Sequence, residues 1–126
     1  MSKVERISSH SLQRIIDGAL KQKAHCLIKF YSNNCHLCQN LRDYYHQVAA
    51  EVEDEEMYFF AFNVDDDPGG GIHLALQYNG VPSIYMISVD PPRRRIAKMP
   101  EPDPPHEHTW YTVGDIKSFI EQERKK

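Results

Sequence analysis

The chain has 126 residues, of which 40% are hydrophobic and 26% charged, which predicts a single domain, residues 1–126, with one hydrophobic core. Its formal net charge of −3 gives no indication of nucleic-acid binding. No apolar run approaches the ~18 residues of a membrane span, and the N-terminal segment lacks the apolar core of a signal peptide. We therefore expect a cytoplasmic monomer that does not contact a membrane.

The first half of the chain alternates amphipathic segments with apolar runs. Ser8 and Ser9 precede apolar residues at helical spacing, and the polar segment 21–23 is expected to end that helix. The run 25–31, interrupted by Lys29, is typical of a central strand covered on both faces. In chain order we predict a short edge strand at 4–7, a helix at 9–20, a strand at 25–31, a helix from 35, a strand at 57–64, a short helix at 72–78, a strand at 83–89, a weaker strand near 96–98 and a helix from 113.

Turn-forming residues separate the elements of the second half. A loop is expected at 65–71, and the Asn79-Gly80 pair is a usual helix stop. Four prolines make 99–108 an irregular surface loop. Thr112 and Asp115 form an approximate capping box for the last helix.

This order of elements predicts an α/β fold. The βαβ units imply parallel strands with helices on both faces of the sheet, and the last two strands imply an antiparallel hairpin at its edge. Tyr44, Tyr45 and the aromatic segment 59–62 are expected in or near the core. The basic run 93–95 is expected to be a solvated surface patch.

Cys35 and Cys38 lie three residues apart at the predicted start of a helix, close enough to form a disulfide. Unpaired backbone N–H groups and the helix dipole at this end favour a thiolate on Cys35, which is the nucleophile of disulfide exchange. The dipole usually contributes only ~0.3–1 kcal/mol, so we expect N–H groups and a protonated His36 to help. Cys38 is expected to be more buried and to resolve a mixed disulfide formed on Cys35.

A Cys-x-x-Cys pair has other uses, because one half of a zinc site has the same spacing. A redox-inactive protein-binding module and a metal site that uses the pair as ligands therefore stay open as alternatives. We predict neither a metal nor a cofactor, because His73, His106 and His108 do not have the spacing of a recognised zinc site. Cys26 is most simply a buried small hydrophobe in its strand.

Val81 and Pro82 open the strand predicted at 83–89, and a proline in this position after a glycine turn is a candidate for a cis peptide bond. With this pair and the segment Cys35-His36-Leu37-Cys38, the chain resembles the thioredoxin family over about residues 4–122. The resemblance implies a thioredoxin fold, in which a central mixed β-sheet is flanked by helices on both faces.

The resemblance also implies a thiol–disulfide oxidoreductase, and we expect a protein disulfide reductase. Cys35 is then the attacking thiol and Cys38 the resolving thiol. Disulfide-containing protein substrates are expected to lie against Val81 and Pro82. The expected electron donor is a reductase of the thioredoxin-reductase kind or a small thiol.

Five positions depart from the family pattern. Asn34 replaces the Trp that precedes the first Cys, and a His-Leu pair replaces Gly-Pro between the cysteines. Lys29 stands where the family has a buried acid, and Ala61 where it has the accompanying Lys. A lysine in a strand more often lies with its aliphatic part along the protein surface and its ammonium group in solvent, which is the first interpretation of Lys29. The alternative makes Lys29, with His36, a group that tunes the pKa values of the cysteine pair.

Overall fold

A mixed five-stranded sheet forms the centre of the protein, and the structure, a computed structural model, describes residues 3–126. The strands of this part of the chain are β1 (Val4–Arg6), β2 (Ala24–Tyr31), β3 (Met57–Asn63), β4 (Ser83–Asp90) and β5 (Arg93–Lys98). Its α-helices are α1 (Ser9–Ile16), α2 (His36–Glu51), α3 (Gly71–Leu76) and α4 (Val113–Arg124).

The strand order is β1-β3-β2-β4-β5. The first three strands in this order are parallel, whereas β4 is antiparallel to β2 and β5 is antiparallel to β4. Successive side chains of the central strand β2 enter different cores: Leu27 packs with residues of α2 and α4, and Ile28 packs with residues of α1 and α3. The predicted α/β fold with helices on both faces is therefore confirmed.

Helix α1 begins as predicted and ends early. The Ser8 hydroxyl accepts a hydrogen bond from the backbone N–H of Ser11, and Leu12, Ile15 and Ile16 are buried. The prediction that the helix continues to residue 20 is wrong. Gly18 has a φ of 84°, a left-handed conformation that glycine adopts readily and that terminates the helix.

Helix α3 also ends before the predicted stop. Gln77 takes a left-handed φ of 54°, and its N–H bonds the His73 carbonyl oxygen at 2.6 Å, so the helix is closed ahead of the Asn79-Gly80 pair. The predicted loop before α3 contains two short 3-10 turns, Val64–Asp66 and Pro68–Gly70.

Strand β5 is longer than predicted, since it begins at Arg93. Arg93 and Arg94 are exposed on this edge strand, as expected of a solvated patch. Arg95 is half-buried and donates from Nη2 to the Glu123 backbone carbonyl of α4 at 2.7 Å. Part of the basic run therefore joins the sheet edge to the last helix.

Helix α4 begins with the predicted capping box. The Thr112 hydroxyl accepts from the N–H of Asp115, and the Asp115 carboxylate accepts from the N–H of Thr112. Within residues 3–126, no helix is long and apolar enough to cross a membrane.

Tyr45 anchors α2 on the sheet. Its side chain is fully buried, and its hydroxyl donates a hydrogen shared between the carbonyl oxygens of Leu27 in β2 (3.1 Å) and Phe60 in β3 (2.8 Å). The expectation that Tyr44 also lies in or near the core is wrong, because it is 42% exposed. Tyr44 precedes Tyr45 in α2 and lies on the side of the helix that faces away from the sheet.

Replacing Tyr45 by Phe should therefore destabilise the protein. Tyr45→Phe removes the hydroxyl and leaves buried carbonyl oxygens with one partner fewer, which should lower the free energy of unfolding by about 1 kcal/mol in urea titrations. Tyr44→Phe is the matched control and should change it by less than ~0.5 kcal/mol. Equal losses in the two variants would show that the Tyr45 hydroxyl does not anchor the helix.

Candidate active site

The cysteine pair lies at the N-terminus of α2. Cys35 is the N-cap residue and has an extended backbone, whereas Cys38 belongs to the first turn of the helix. Their Cα atoms are 5.2 Å apart, and the two side chains form a disulfide. Because α2 follows the carboxyl end of β2, the pair stands at one edge of the sheet.

The two sulfurs differ in exposure and in partners. Cys35 is half-buried and accessible, while Cys38 is 3% exposed. The backbone N–H of Cys38 donates to the Sγ atom of Cys35 at 3.1 Å. A donor of this kind, together with the positive end of the helix dipole, stabilises negative charge on the outer sulfur.

The turn between β2 and α2 is held by side chains that sequence reasoning missed. The Asn63 amide, at the end of β3, donates to the side-chain oxygen of Asn33 at 2.8 Å. Gln39 of α2 donates to the Asn33 carbonyl oxygen at 3.4 Å. The only sequence signal was polarity at the ends of two neighbouring strands, where turn residues are common.

Val81 and Pro82 lie at the same edge of the sheet as the cysteines. Ser83, the first residue of β4, is paired with Phe30 near the end of β2, so the two residues before it lie beside the start of the active-site turn. The peptide bond between Val81 and Pro82 is cis. Pro82 is buried and Val81 is half-buried.

Lys29 is buried, so the interpretation as a surface lysine is wrong. Its residue is only 4% exposed, and its ammonium group lies 5.1 Å from the ring centroid of Tyr45 and 5.6 Å from that of Tyr31. Burial, with a smaller effect of Arg42, lowers its pKa to about 8. α2 covers this side of β2, so little of Lys29 remains exposed.

The strand register places Lys29 directly opposite Ala61 of β3. These are the two positions at which the sequence departs from the family's acid and lysine. Within residues 3–126 Lys29 forms no salt bridge, and Asp43 on α2 raises its pKa only through charge, an effect smaller than the lowering by burial.

Lys29 and Cys38 line one cavity of about 250 Å³, which we name the Lys29 cavity. Cys38 lines it from α2, with Arg42 and His46 at the following i+4 and i+8 positions of the helix. Its lining residues are Lys29, Tyr31, Ser32, Asn33, Cys38, Gln39, Arg42, His46 and Ala61. Burial, then the positive charges of Lys29 and Arg42, lowers the pKa of His46. Helical spacing from Cys38 was the signal that could have found Arg42 and His46 in the sequence.

His36 and Cys26 are placed differently from the groups in the cavity. His36 is exposed next to Cys35, and its effect on that sulfur stays a prediction. Cys26 is a buried free thiol in the apolar cluster of α1 and α3, on the opposite face of the sheet from Cys38, and burial raises its pKa to about 11.

Within residues 3–126, no cluster of three or more His, Cys, Asp or Glu side chains could hold a metal ion.

The irregular segment 99–111 contacts α2 close to the cysteine pair. The Asn40 amide of α2 donates to the His108 carbonyl oxygen at 2.8 Å. His106 and Trp110 form an isolated β-bridge, and the Trp110 indole N–H donates to Glu101 at 2.9 Å. The segment is therefore an ordered loop that contacts α2 just after Cys38.

Similar folds are found among solved structures. Chloroplastic thioredoxin z is 21% identical, with a TM-score of 0.69, and the match covers 100% of this chain and 98% of that one. Trichomonas vaginalis thioredoxin is 17% identical, with a TM-score of 0.66 and coverage of 97% and 98%. The J-Trx1 fragment of ERdj5 is 17% identical, with a TM-score of 0.68; 96% of this chain is matched but only 50% of that one. No curated protein sequence matches significantly.

A disulfide-forming Cys-x-x-Cys pair at the start of the helix after the central strand, on this fold, is typical of thiol–disulfide oxidoreductases. The thioredoxin family model matches residues 6–100. The chain therefore belongs to the thioredoxin family.

Removing the buried charge of Lys29 should stabilise the protein. The pKa of Lys29 is about 8 in the folded protein and has its ordinary value of 10.5 in the unfolded chain. Between these values unfolding takes up a proton, so stability rises with pH as folded Lys29 loses its charge. Lys29→Met should therefore raise the free energy of unfolding by about 2–3 kcal/mol near neutral pH, and the gain should shrink from about pH 8 to about pH 10.

Urea titrations of the disulfide form on both sides of this pH window measure the effect. Lys21→Met, at an exposed position, controls for the loss of a surface lysine. A Lys29→Met variant that is less stable than the parent near neutral pH would contradict a desolvated, uncompensated ammonium group.

Proposed function

We propose that this protein is a thiol–disulfide oxidoreductase that reduces disulfide bonds in protein substrates. The observation that carries the proposal is the asymmetry of the cysteine pair at the N-terminus of α2. Cys35 is accessible and accepts a hydrogen bond from a backbone N–H, whereas Cys38 is buried one turn further along. This arrangement suits an attacking thiolate and a resolving thiol, respectively.

The reaction proceeds in two exchanges. The Cys35 thiolate attacks one sulfur of the substrate disulfide, that S–S bond breaks, and the first substrate sulfur leaves as a thiolate. Cys38 then loses its proton and attacks the Cys35 sulfur, so the second substrate sulfur leaves. Two electrons pass to the substrate, both released thiolates take up protons, and the protein is left with the Cys35–Cys38 disulfide.

Lys29 tunes the second exchange through its charge. It lines the same cavity as Cys38, and a positive charge in this poorly solvated space lowers the free energy of forming a thiolate there. His36, when protonated, acts in the same way on Cys35 from the solvent side. The family's acid is thus replaced by a base whose pKa of about 8 lies near neutrality.

The substrate lies across Val81 and Pro82. These residues come directly before β4, at the edge of the sheet where the active-site turn begins. Val81 is half-buried and lies outside the strand. An extended peptide beside Val81 can pair with its backbone groups while presenting its own sulfur to Cys35.

Single cysteine variants test the order of attack. Cys35→Ser should abolish reduction of a fluorogenic disulfide peptide, because the attacking sulfur is gone. Cys38→Ser should accumulate a mixed disulfide on Cys35, visible as an adduct in intact-mass spectrometry. Full activity of Cys35→Ser would overturn the mechanism.

Cys26→Ala is the matched control, since this thiol is buried on the other face of the sheet and should not affect turnover. The adduct trapped on Cys38→Ser also tests substrate placement. Hydrogen exchange at the Val81 amide should slow when the peptide is attached; unchanged exchange would place the substrate elsewhere.

The reduction potential of the Cys35–Cys38 pair decides the direction of electron flow. We expect a value near about −270 mV, typical of a cytoplasmic reductant supplied by a thioredoxin-reductase-like enzyme or a small thiol. Equilibration with glutathione buffers, followed by thiol trapping and mass spectrometry, measures it. A value near about −180 mV would instead indicate an oxidase or isomerase and argue against the proposed cytoplasmic location.

A further inference from the structure

The charges around the Lys29 cavity are unbalanced. Lys29 and Arg42 bring two basic groups to its wall, and His46 adds an imidazole. The described residues that line it include no carboxylate. Asp43 acts on the pKa of Lys29 through charge and forms no salt bridge with it.

A second basic region shows how this protein balances such charges elsewhere. Lys23, Arg93–Arg95, Arg124 and Lys126 surround a cavity of about 490 Å³ beside β5. There, Glu123 lies 3.6 Å from Arg95 and 2.9 Å from Lys126, and Asp54 lies 2.9 Å from Arg124. Two carboxylates of the chain thus form salt bridges with three of these cations, whereas Lys29 forms none within residues 3–126.

An uncompensated ammonium is costly when it is buried. The residue Lys29 is 96% shielded from solvent, being 4% exposed, and its ammonium group is close to two aromatic rings and bonded to no oxygen of residues 3–126. Buried charges are usually paired or bound to a ligand. An anion from solution in the cavity would supply the missing counter-charge.

The size and donors of the Lys29 cavity indicate which anion fits. Its volume of about 250 Å³ exceeds that of several waters at roughly 30 Å³ each, so a small oxyanion can enter. The Ser32 hydroxyl and the amides of Asn33 and Gln39 line it along with the cations. The number of donor residues, together with the two cations, matches a tetrahedral oxyanion with four acceptor oxygens better than a planar carboxylate with two.

We propose that the Lys29 cavity binds a tetrahedral oxyanion of the phosphate class, held by Lys29 and Arg42 beside the resolving cysteine. The ligand is inorganic phosphate or the phosphate group of a small monoester. Since Cys38 forms part of the wall, the bound anion lies next to the sulfur that is buried in the disulfide form, where its negative charge disfavours the thiolate that Lys29 favours in the empty cavity. This site does not depend on disulfide reduction, because it exists in the oxidised protein.

A phosphate titration of the disulfide form tests the site without any turnover. Inorganic phosphate is added to ¹⁵N-labelled protein at constant ionic strength, and amide shifts are followed by NMR. We expect saturable shifts confined to the residues around Cys38 and Arg42. Arg42→Ala, at an exposed position that should fold normally, should weaken binding by about tenfold, as expected for one lost charge-assisted hydrogen bond.

Arg93→Ala is the matched control, because it removes an exposed arginine from the second basic region and should leave phosphate affinity unchanged. Lys29→Met should abolish saturation. Shifts that do not saturate, or equal weakening by Arg42→Ala and Arg93→Ala, would overturn the proposal by showing general attraction to basic surface.

Glycerol phosphate distinguishes the two sources of the anion. If it binds with an affinity similar to that of inorganic phosphate, the site accepts a phosphorylated small molecule whose organic part extends out of the cavity. If only inorganic phosphate binds, the ligand is the free ion. Saturable binding together with inactive cysteines would support the anion site while refuting the proposed reductase.

Discussion

The docking of α2 against the two central parallel strands is the contact on which the site depends. Tyr45 joins the helix to the backbones of both β2 and β3 through its buried hydroxyl, and Leu41 and Val48 pack fully buried beside it. Since a helix is stiff, fixing its middle also fixes its first turn. The same contact therefore puts Cys35 at the sheet edge, turns Cys38 inward and closes the Lys29 cavity.

The features that sequence could predict are those set by neighbours along the chain. The buried face of α2 follows from residues at helical spacing, since its buried positions are Cys38, Leu41, Tyr45, Val48 and Ala49. The Ser8 and Thr112 caps follow from side chains that satisfy N–H groups three residues away. The pairing of β2 and β3 brings Lys29 opposite Ala61, the two positions that the family resemblance had singled out.

The errors occur where distant segments decide the outcome. Lys29 is on the face of β2 that α2 covers, and no local pattern shows how closely the helix lies over that point. Tyr44 and Tyr45 are equally aromatic, but the rotation of α2 buries only the second. Gln77 closes α3 in a conformation that sequence rules reserve mainly for glycine and asparagine. The charge inside the cavity was therefore the least predictable part of the site.

The position of Cys26 has a consequence for following the molecule in solution. In the disulfide form, Cys26 is the one cysteine of the three left as a thiol, and it lies in the core at 2% exposure between the sheet and α1. A thiol-specific dye can reach it only when this half of the core opens. The rate at which Cys26 is labelled in the oxidised protein thus reports how often this half of the core opens, and no engineered probe is needed.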